Sequence, residues 1–364
     1  MKRIKVHLDK RLSETHEICI GYDFQDRIGL LIAKEHPANR YVIVTDSNVS
    51  GLYGKTFLEK LRELGLPAEL LEFPAGEGSK TMDTVLALTS RLLERGVDRH
   101  SLLLALGGGV VGDLTGFVAS IYMRSVPFIQ IPTTLMAQVD SSIGGKTAVN
   151  LPQGKNLLGT FYQPKRIFTD LKFLETLSDD EYLNGVAEIV KYGVIDEPGF
   201  FELLEREVPA IRERNLEVLK KVIEQSCRIK KGVVEIDEQE SGFRRILNYG
   251  HTIGHALEAS SNFTLAHGKA VALGMIAASG ISVQSGYLSL EERDRIENMI
   301  RDLGLPVRIP ESFPQSNVLE RLQMDKKKEG SELPFVLLKK IGIPFITKGV
   351  EKSHLEKVLE EMKA

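Results

Sequence analysis

Residues 102–113 read LLLALGGGVVGD. An unbroken apolar run that ends in glycine is what a strand covered on both faces requires, as at the centre of a parallel sheet. The turn behind it fits G-x-G-x-x-G at Gly107, Gly109 and Gly112. Glycines there let backbone amides approach a pyrophosphate, and the N-terminus of the following helix favours negative charge. A tight strand-to-helix turn that binds nothing would carry the same glycines, so the fingerprint by itself is a weak signal. The acid expected to bind ribose about 20 residues further on is missing. Asp46, at the end of an earlier strand-like run, can take that place.

Working outward, the pattern repeats. Upstream, Tyr41-Val42-Ile43-Val44-Thr45 is a buried-strand run closed by Asp46-Ser47-Asn48. Phe57, Leu58, Leu61 and Leu64 follow at helical spacing. Leu70-Leu71-Glu72-Phe73 reads as the next strand, ending in the turn Pro74-Ala75-Gly76-Glu77-Gly78, and residues 80–95 are again helical. Downstream, residues 126–131 make another strand, ending at Pro132-Thr133-Thr134. Strands alternating with helices predict parallel strands with crossover helices. The loop that follows holds Gly144-Gly145-Lys146-Thr147, but the upstream glycine of a P-loop is absent, which argues against an ATPase. Lys146 and Lys155-Asn156, set among glycines and hydroxyls, read as anion-binding groups, against the commoner fate of lysine as a solvated charge.

After Thr176 the strand signals fade. Ser178-Asp179-Asp180-Glu181 is a capping box that opens a helix expected to reach Ile195. Glu188 and Lys191 share one face of it, and by spacing alone they read as a solvated salt bridge. Further helices are predicted over 199–206, 215–237, 250–260, 268–285, 290–303 and 316–324. Residues 243–268, FRRILNYGHTIGHALEASSNFTLAHG, gather His251, His255 and His267 beside Arg244 and Asn248. His251 and His255, at i and i+4, can place two imidazoles on one metal. Spacing makes both of them ligands and leaves the carboxylate unidentified. Three protein ligands with an open position is the arrangement of a catalytic zinc.

The 364 residues favour two domains, here 1–177 and 178–364. A formal net charge of −3 excludes bulk nucleic-acid binding. Cys19 and Cys227 lie in no metal or redox spacing and are expected to be reduced thiols in a cytoplasmic protein. MKRIKVHLDK, residues 1–10, has no apolar run and is not expected to be a secretory signal. The most apolar long stretch, residues 270–283, is too short and too rich in Ser and Gly to span a membrane.

With these residues in view, the chain resembles the 3-dehydroquinate synthases. The motifs that carry the resemblance are GGGVVGDLTGFVAS (107–120), IPTTLMAQVDSSIGGKTAVN (131–150), GKNLLGTFYQP (154–164), GVAEIVKYGVI (185–195), LNYGHTIGHALE (247–258) and MDKK (324–327). The resemblance implies an N-terminal Rossmann-like α/β domain, an all-α C-terminal domain and a site between them. It implies NAD, a divalent metal (zinc or cobalt), and a homodimer. The metal ligands would be Glu188, His251 and His267, with His255 moving protons, which overrules the spacing-based pair. Glu240 would be a second proton acceptor. NAD would meet Asp46, Asn48, Glu77, Lys80, Gly108, Gly109, Val110, Asp113, Thr133, Thr134, Lys146, Lys155, Thr176 and Asn184. Substrate groups would meet Asp140, Lys146, Asn156, Lys191, Lys230, Arg244, Asn248 and Lys326, with Arg124 supplied by the neighbouring subunit.

The reaction implied converts 3-deoxy-D-arabino-heptulosonate 7-phosphate to 3-dehydroquinate and phosphate, a step of the shikimate pathway. It runs by transient oxidation, phosphate elimination, reduction and intramolecular aldol closure. Two departures stand out. His267-Gly268-Lys269 occurs where such proteins commonly read HGE, and Arg124-Ser125-Val126 where they read Arg-Gly-Val. The rival readings are another sugar-phosphate cyclase forming an inosose or valiolone, a metal-dependent NAD polyol dehydrogenase, and an inactive NAD- or metal-sensing protein. Residues 140–146 and Asp325-Lys326-Lys327 favour the first-named family among the cyclases.

Overall fold

The computed structural model describes residues 15–261, 264–310, 313, 315–328 and 333–363. The segment MKRIKVHLDK, and Asn262 and Phe263 of the loop before His267, lie outside these.

The first half is a sheet wrapped by helices: β1 (Glu17–Gly21), α1 (Gln25–Glu35), β2 (Tyr41–Asp46), α2 (Ser47–Val49), α3 (Lys55–Glu63), β3 (Ala68–Phe73), α4 (Met82–Glu94), β4 (Leu102–Gly107), α5 (Gly109–Ile121) and β5 (Phe128–Pro132). An antiparallel hairpin, β6 (Lys146–Leu151) and β7 (Gly154–Phe161), precedes the last strand, β8 (Arg166–Asp170). The six-stranded sheet has the order β1-β8-β5-β4-β2-β3, with every pairing parallel. Leu102 to Leu106 of β4 are at most 2% exposed, as the apolar run predicts. Each such leucine contributes roughly 1.5–3 kcal/mol through burial. From β2 the chain steps outward to β3, and from β4 it steps the other way to β5. The strand order therefore reverses between β2 and β4, and their C-terminal ends, Asp46 and Gly107, flank the crevice where open α/β sheets bind ligands.

The second half is a helical assembly: α6 (Asp179–Ile195), α7 (Pro198–Arg206), α8 (Val208–Arg212), α9 (Leu216–Ile236), α10 (His251–Ser260), α11 (His267–Gln284), α12 (Leu290–Asp302) and α13 (Gln315–Lys328). It ends in a feature absent from the sequence reading, the antiparallel hairpin β9 (Phe335–Lys340) and β10 (Ile343–Thr347), followed by α14 (Lys352–Glu361). So the helical half is not purely α.

α11 is the axis of this half. Its residues Ala270 to Ala278 are all buried, because α6, α10, α12, α14 and β9 pack round it. Its small residues set the distances. A Cβ at Gly274 would sit 1.9 Å from the carbonyl oxygen of Gly250, so only glycine lets α10 settle against α11. Leu135, Val139, Ile143 and Ile167 of the first half join the core of the second, so the halves share one hydrophobic cluster. No helix among the described residues is long and apolar enough to cross a membrane.

Candidate active site

Ser178 caps α6, its Oγ accepting from the Glu181 amide at 3.4 Å, and three acids follow in the first turn where the helix dipole favours them. Beyond that turn α6 runs inside the protein. Glu188 and Lys191 are 1% and 2% exposed, so the solvated pair suggested by their spacing is corrected to a buried one. The cause is tertiary: α9 and α11 cover this face of α6. Lys191 Nζ forms an ion pair with Glu188 Oε2, yet neither Glu188 oxygen has a hydrogen bond. Instead Oε1 faces His251 Nε2 at 3.5 Å and His267 Nε2 at 3.6 Å. A buried carboxylate without hydrogen bonds is costly, and two imidazole nitrogens converging on it complete a His₂-carboxylate donor set that fits a divalent cation.

The three histidine rings lie together, with centroids 5.3 Å apart for His251–His255 and His251–His267 and 5.9 Å for His255–His267. Their environments differ. Burial and Lys191 push His251 down to about 3, which keeps its ring neutral and its lone pair available. Burial also disfavours the charged form of His267, but the neighbouring carboxylates of Glu188 and Glu258 outweigh it and lift the group to about 9. His255 is exposed and stands outside the Glu188–His251–His267 set; it groups with Glu258 and His267. The His251–His255 pair that spacing singled out is therefore split between two groups.

Around the carboxylate lies a second layer of charge. Lys191 is 4.0 Å from Asp140 Oδ1. Lys230 Nζ donates to the same oxygen at 2.8 Å and to the Asp140 carbonyl at 2.6 Å, and Tyr192 also donates to that carboxylate. Burial would raise Asp140, but Lys230 and Lys191 hold it far below the usual carboxylate range. Lys146 of β6 pairs with Glu240, which also accepts from Asn248 Nδ2 at 3.0 Å. Arg244 is 1% exposed, with its guanidinium nitrogens donating to the Gly144 carbonyl at 3.1 and 3.2 Å. The guanidinium of Arg244 thus braces the 140–146 loop in this structure. Lys326 is on α13, and its side chain lies outside the described residues.

The glycine turn opens on the crevice between β2 and β4. None of its glycines is left-handed; close approach explains them. A Cβ at Gly107 would lie 2.4 Å from Val111 Cγ2, and one at Gly112 would lie 2.8 Å from Gln130 Oε1. Gly108 caps α5 and Gly109 and Val110 begin it, and backbone amides at a helix start suit an anion. Asp46 caps the next turn, accepting from the amides of Asn48 and Val49 at 2.9 Å each. Lys80 donates to Asp113 Oδ2 and Asn156 Oδ1, both at 2.5 Å. Glu77 accepts from Asn150 Nδ2 at 2.7 Å, and Thr134 Oγ1 accepts from the Ala137 amide at 3.2 Å. Thr133 is buried, with its amide on the Gly107 carbonyl at 3.0 Å. Thr176 shares a 2.6 Å hydrogen bond with Tyr53, and Asn184 Oδ1 accepts from the Gly268 amide at 2.5 Å. Lys155 reaches the other way, to Glu258 Oε1 at 3.1 Å.

Arg124 is exposed, in a kink where Met123, Arg124 and Ser125 all have positive φ, of 49°, 64° and 103°. The value at Ser125 is one that glycine favours, so the serine here is strained. Lys269, in the first turn of α11, turns to Asp180 Oδ1 at 2.7 Å. Two further side chains escaped the sequence reading. Tyr192 holds Asp140, and Glu258 holds His267 Nδ1 at 2.9 Å. Glu258 was recoverable in principle, since it follows His255 by one helical turn and His251 by two.

The family models described as 3-dehydroquinate synthase N-terminal and 3-dehydroquinate synthase C-terminal match residues 70–184 and 185–328. The 3-dehydroquinate synthase of Desulforamulus reducens is 43% identical over 362 residues, covering 99% of this chain and 100% of that protein. Among solved structures, a 2-epi-5-epi-valiolone synthase from Streptomyces hygroscopicus subsp. jinggangensis, with NAD⁺ and Zn²⁺ bound, superposes with a TM-score of 0.90 at 28% identity, covering 99% of each chain. A 2-deoxy-scyllo-inosose synthase complexed with carbaglucose-6-phosphate, NAD⁺ and Co²⁺ gives a TM-score of 0.87 at 28% identity, covering 95% of this chain and 96% of that one. With family models matched across both halves and identity above two-fifths along its whole length, the chain belongs to the 3-dehydroquinate synthase family.

Proposed function

We propose that this protein is a phosphate-eliminating carbon–oxygen lyase, a 3-dehydroquinate synthase acting on 3-deoxy-D-arabino-heptulosonate 7-phosphate in the cytoplasm. The observation that carries the reading is Glu188, buried without a hydrogen bond and faced by two imidazole nitrogens, beside the dinucleotide-type crevice of a family member. Glu188, His251 and His267 would hold Zn²⁺ or Co²⁺, and the glycine turn with Asp46, Asn48, Glu77, Lys80 and Asp113 would hold NAD. When bound, the cation lowers the energy of an alkoxide and NAD⁺ accepts a hydride that it later returns.

The chain's own groups do the rest. Lys191 and Lys230 are buried cations suited to a substrate phosphate and carboxylate. Fixing both ends of the substrate makes ring closure effectively intramolecular, an advantage that can reach several kcal/mol. His255 is exposed and stands outside the proposed ligand set, and imidazole is the side chain most often used for proton transfer. Glu240, held by Lys146 and Asn248, is a carboxylate placed to accept a proton. The proposed domain boundary falls between residues 177 and 178, ahead of the Ser178 cap. A homodimer would bring the exposed Arg124, flanked by exposed Ile121 and Met123, to the neighbouring site.

The test is multiple-turnover phosphate release from the heptulosonate phosphate with Zn²⁺ or Co²⁺ and trace NAD⁺, with 3-dehydroquinate as the carbocycle. Phosphate release with a different carbocycle would identify another cyclase, and net NADH accumulation a dehydrogenase. For the dimer, Arg124→Ala should lose turnover as a pure protein and regain part of it when mixed with a separately inactivated variant.

A further inference from the structure

The hydrogen bond between His267 and Glu258 has no part in the scheme above. Glu258 lies on α10 with its side chain 5% exposed. Its Oε2 is 2.9 Å from His267 Nδ1, and its Oε1 is 3.1 Å from Lys155 Nζ of β7. A carboxylate in an ion pair accepts and does not donate, so the proton in the contact with His267 sits on Nδ1. Once Nε2 gives up its own proton, the lone pair of that ring lies there, on the nitrogen turned to Glu188 Oε1 at 3.6 Å. The other ligand histidine is oriented differently: His251 Nδ1 lies 3.1 Å from the Tyr249 carbonyl, an uncharged acceptor.

We propose that Glu258 is the positioning residue of the metal centre. It fixes the Nδ1–H tautomer of His267 and aims Nε2 at the cation, while Lys155 holds the carboxylate from the sheet-bearing half. The proposal rests on the reading that Glu188, His251 and His267 hold a divalent cation. A charged acceptor behind a metal-bound imidazole both fixes the ring and strengthens it as a donor, and losing such a partner commonly weakens metal binding about 10–100-fold. The same residues allow a different arrangement, because His255, Glu258 and His267 also form a compact donor group that could take a cation of its own.

Metal affinity decides between them. Zn²⁺ binding to the metal-free full chain is measured by competition with a chromogenic chelator, and Co²⁺ loading by its absorption spectrum. The expected result is one ion per wild-type chain. Glu258→Gln, nearly isosteric, should still bind one ion with the same Co²⁺ band positions, but about 10–100-fold more weakly. Lys155→Met, which leaves the Glu258–His267 bond in place, should lose less. An affinity for Glu258→Gln within about twofold of wild type, or an equal loss in Lys155→Met, overturns the proposal. So does a second ion in wild type that Glu258→Gln loses, which would make Glu258 a ligand. A wild-type chain that binds no ion overturns the metal reading itself. Independently of any variant, long-range ¹H–¹⁵N spectra of the Zn²⁺ form should show His267 protonated at Nδ1; protonation at Nε2 sinks the idea.

Discussion

Lys80 and Lys191 are both buried lysines beside carboxylates, and they sit in different kinds of cluster. Lys80 is 5% exposed and donates to both Asp113 and Asn156 at 2.5 Å, all within the sheet-bearing half. Its charge is matched and its hydrogen bonds are made. Lys191 is 2% exposed and lies against Glu188, whose carboxylate faces two imidazoles, and 4.0 Å from Asp140, which Lys230 holds. There the lysines and carboxylates balance in number, yet Glu188 keeps two oxygens without a hydrogen bond. The first cluster is closed. The second would take the proposed cation, and with one bound its surplus positive charge would suit the proposed substrate's phosphate and carboxylate. At Lys80 any binding role works through groups that are already paired, whereas at Lys191 stability and the proposed function depend on the same open carboxylate.

The largest effect should follow from Glu188→Ala. It strands Lys191 without its carboxylate, a change that typically costs about 3–5 kcal/mol for a buried pair, and it removes a proposed metal ligand. Urea unfolding of the metal-free protein should show the first loss, and metal analysis should find no bound ion. His255→Ala comes next, and it leaves the Glu188–His251–His267 set intact. Turnover should fall about 10²–10⁴-fold with one metal ion still bound per chain. Stoichiometric loss of metal would instead make His255 a ligand. Asp113→Asn probes the closed cluster. Asparagine can still accept from Lys80, so the expected cost is about 1–3 kcal/mol, with metal stoichiometry unchanged and NAD⁺ affinity reduced. A loss as large as that of Glu188→Ala would erase the distinction between the two clusters.

How much of this was legible depended on whether one segment held the information. The run at β4 is apolar at every position, and its burial on both faces follows directly. The capping box at Ser178 likewise marks where α6 begins. Coordination is another matter. The i, i+4 spacing of His251 and His255 describes one helix, whereas the donor set is assembled from α6, α10 and α11 by tertiary packing. Nothing local to Glu188 and Lys191 says that α9 and α11 will bury them. The hairpin of β6 and β7 was missed, and residues 140–147 read as a loop, because its two strands pair only with each other and expose Leu157, Leu158 and Phe161. Conservative as Arg124-Ser125-Val126 looks in sequence, only the backbone shows Ser125 at φ 103°.

Lys269 supplies the smallest and most discriminating test. It stands where the family resemblance leads one to expect an acid, and in sequence it reads as a positive charge beside a proposed metal ligand. The structure gives that charge a partner: Lys269 and Asp180 form a pair with 34% and 78% of their side chains exposed. The lysine hydrogen bond in turn holds the Asp180 carboxyl below its usual range. Glutamate at this position would suit the N-terminal turn of α11 better than lysine does. It would also face Asp180 as a like charge, so the two effects oppose one another. Exposed pairs of this kind are worth about 0.2–1 kcal/mol, so Lys269→Glu should change Zn²⁺ affinity by less than about fivefold and thermal stability only slightly. Because the pair is solvated, even that change should shrink as salt shortens the screening length from about 10 Å at 0.1 M to about 3 Å at 1 M. The loss from Glu188→Ala should survive the same salt, since buried charge is screened far less. A salt-resistant, hundredfold effect at Lys269 would mean that its charge reaches the cation through the protein interior, and that the open cluster extends to the first turn of α11.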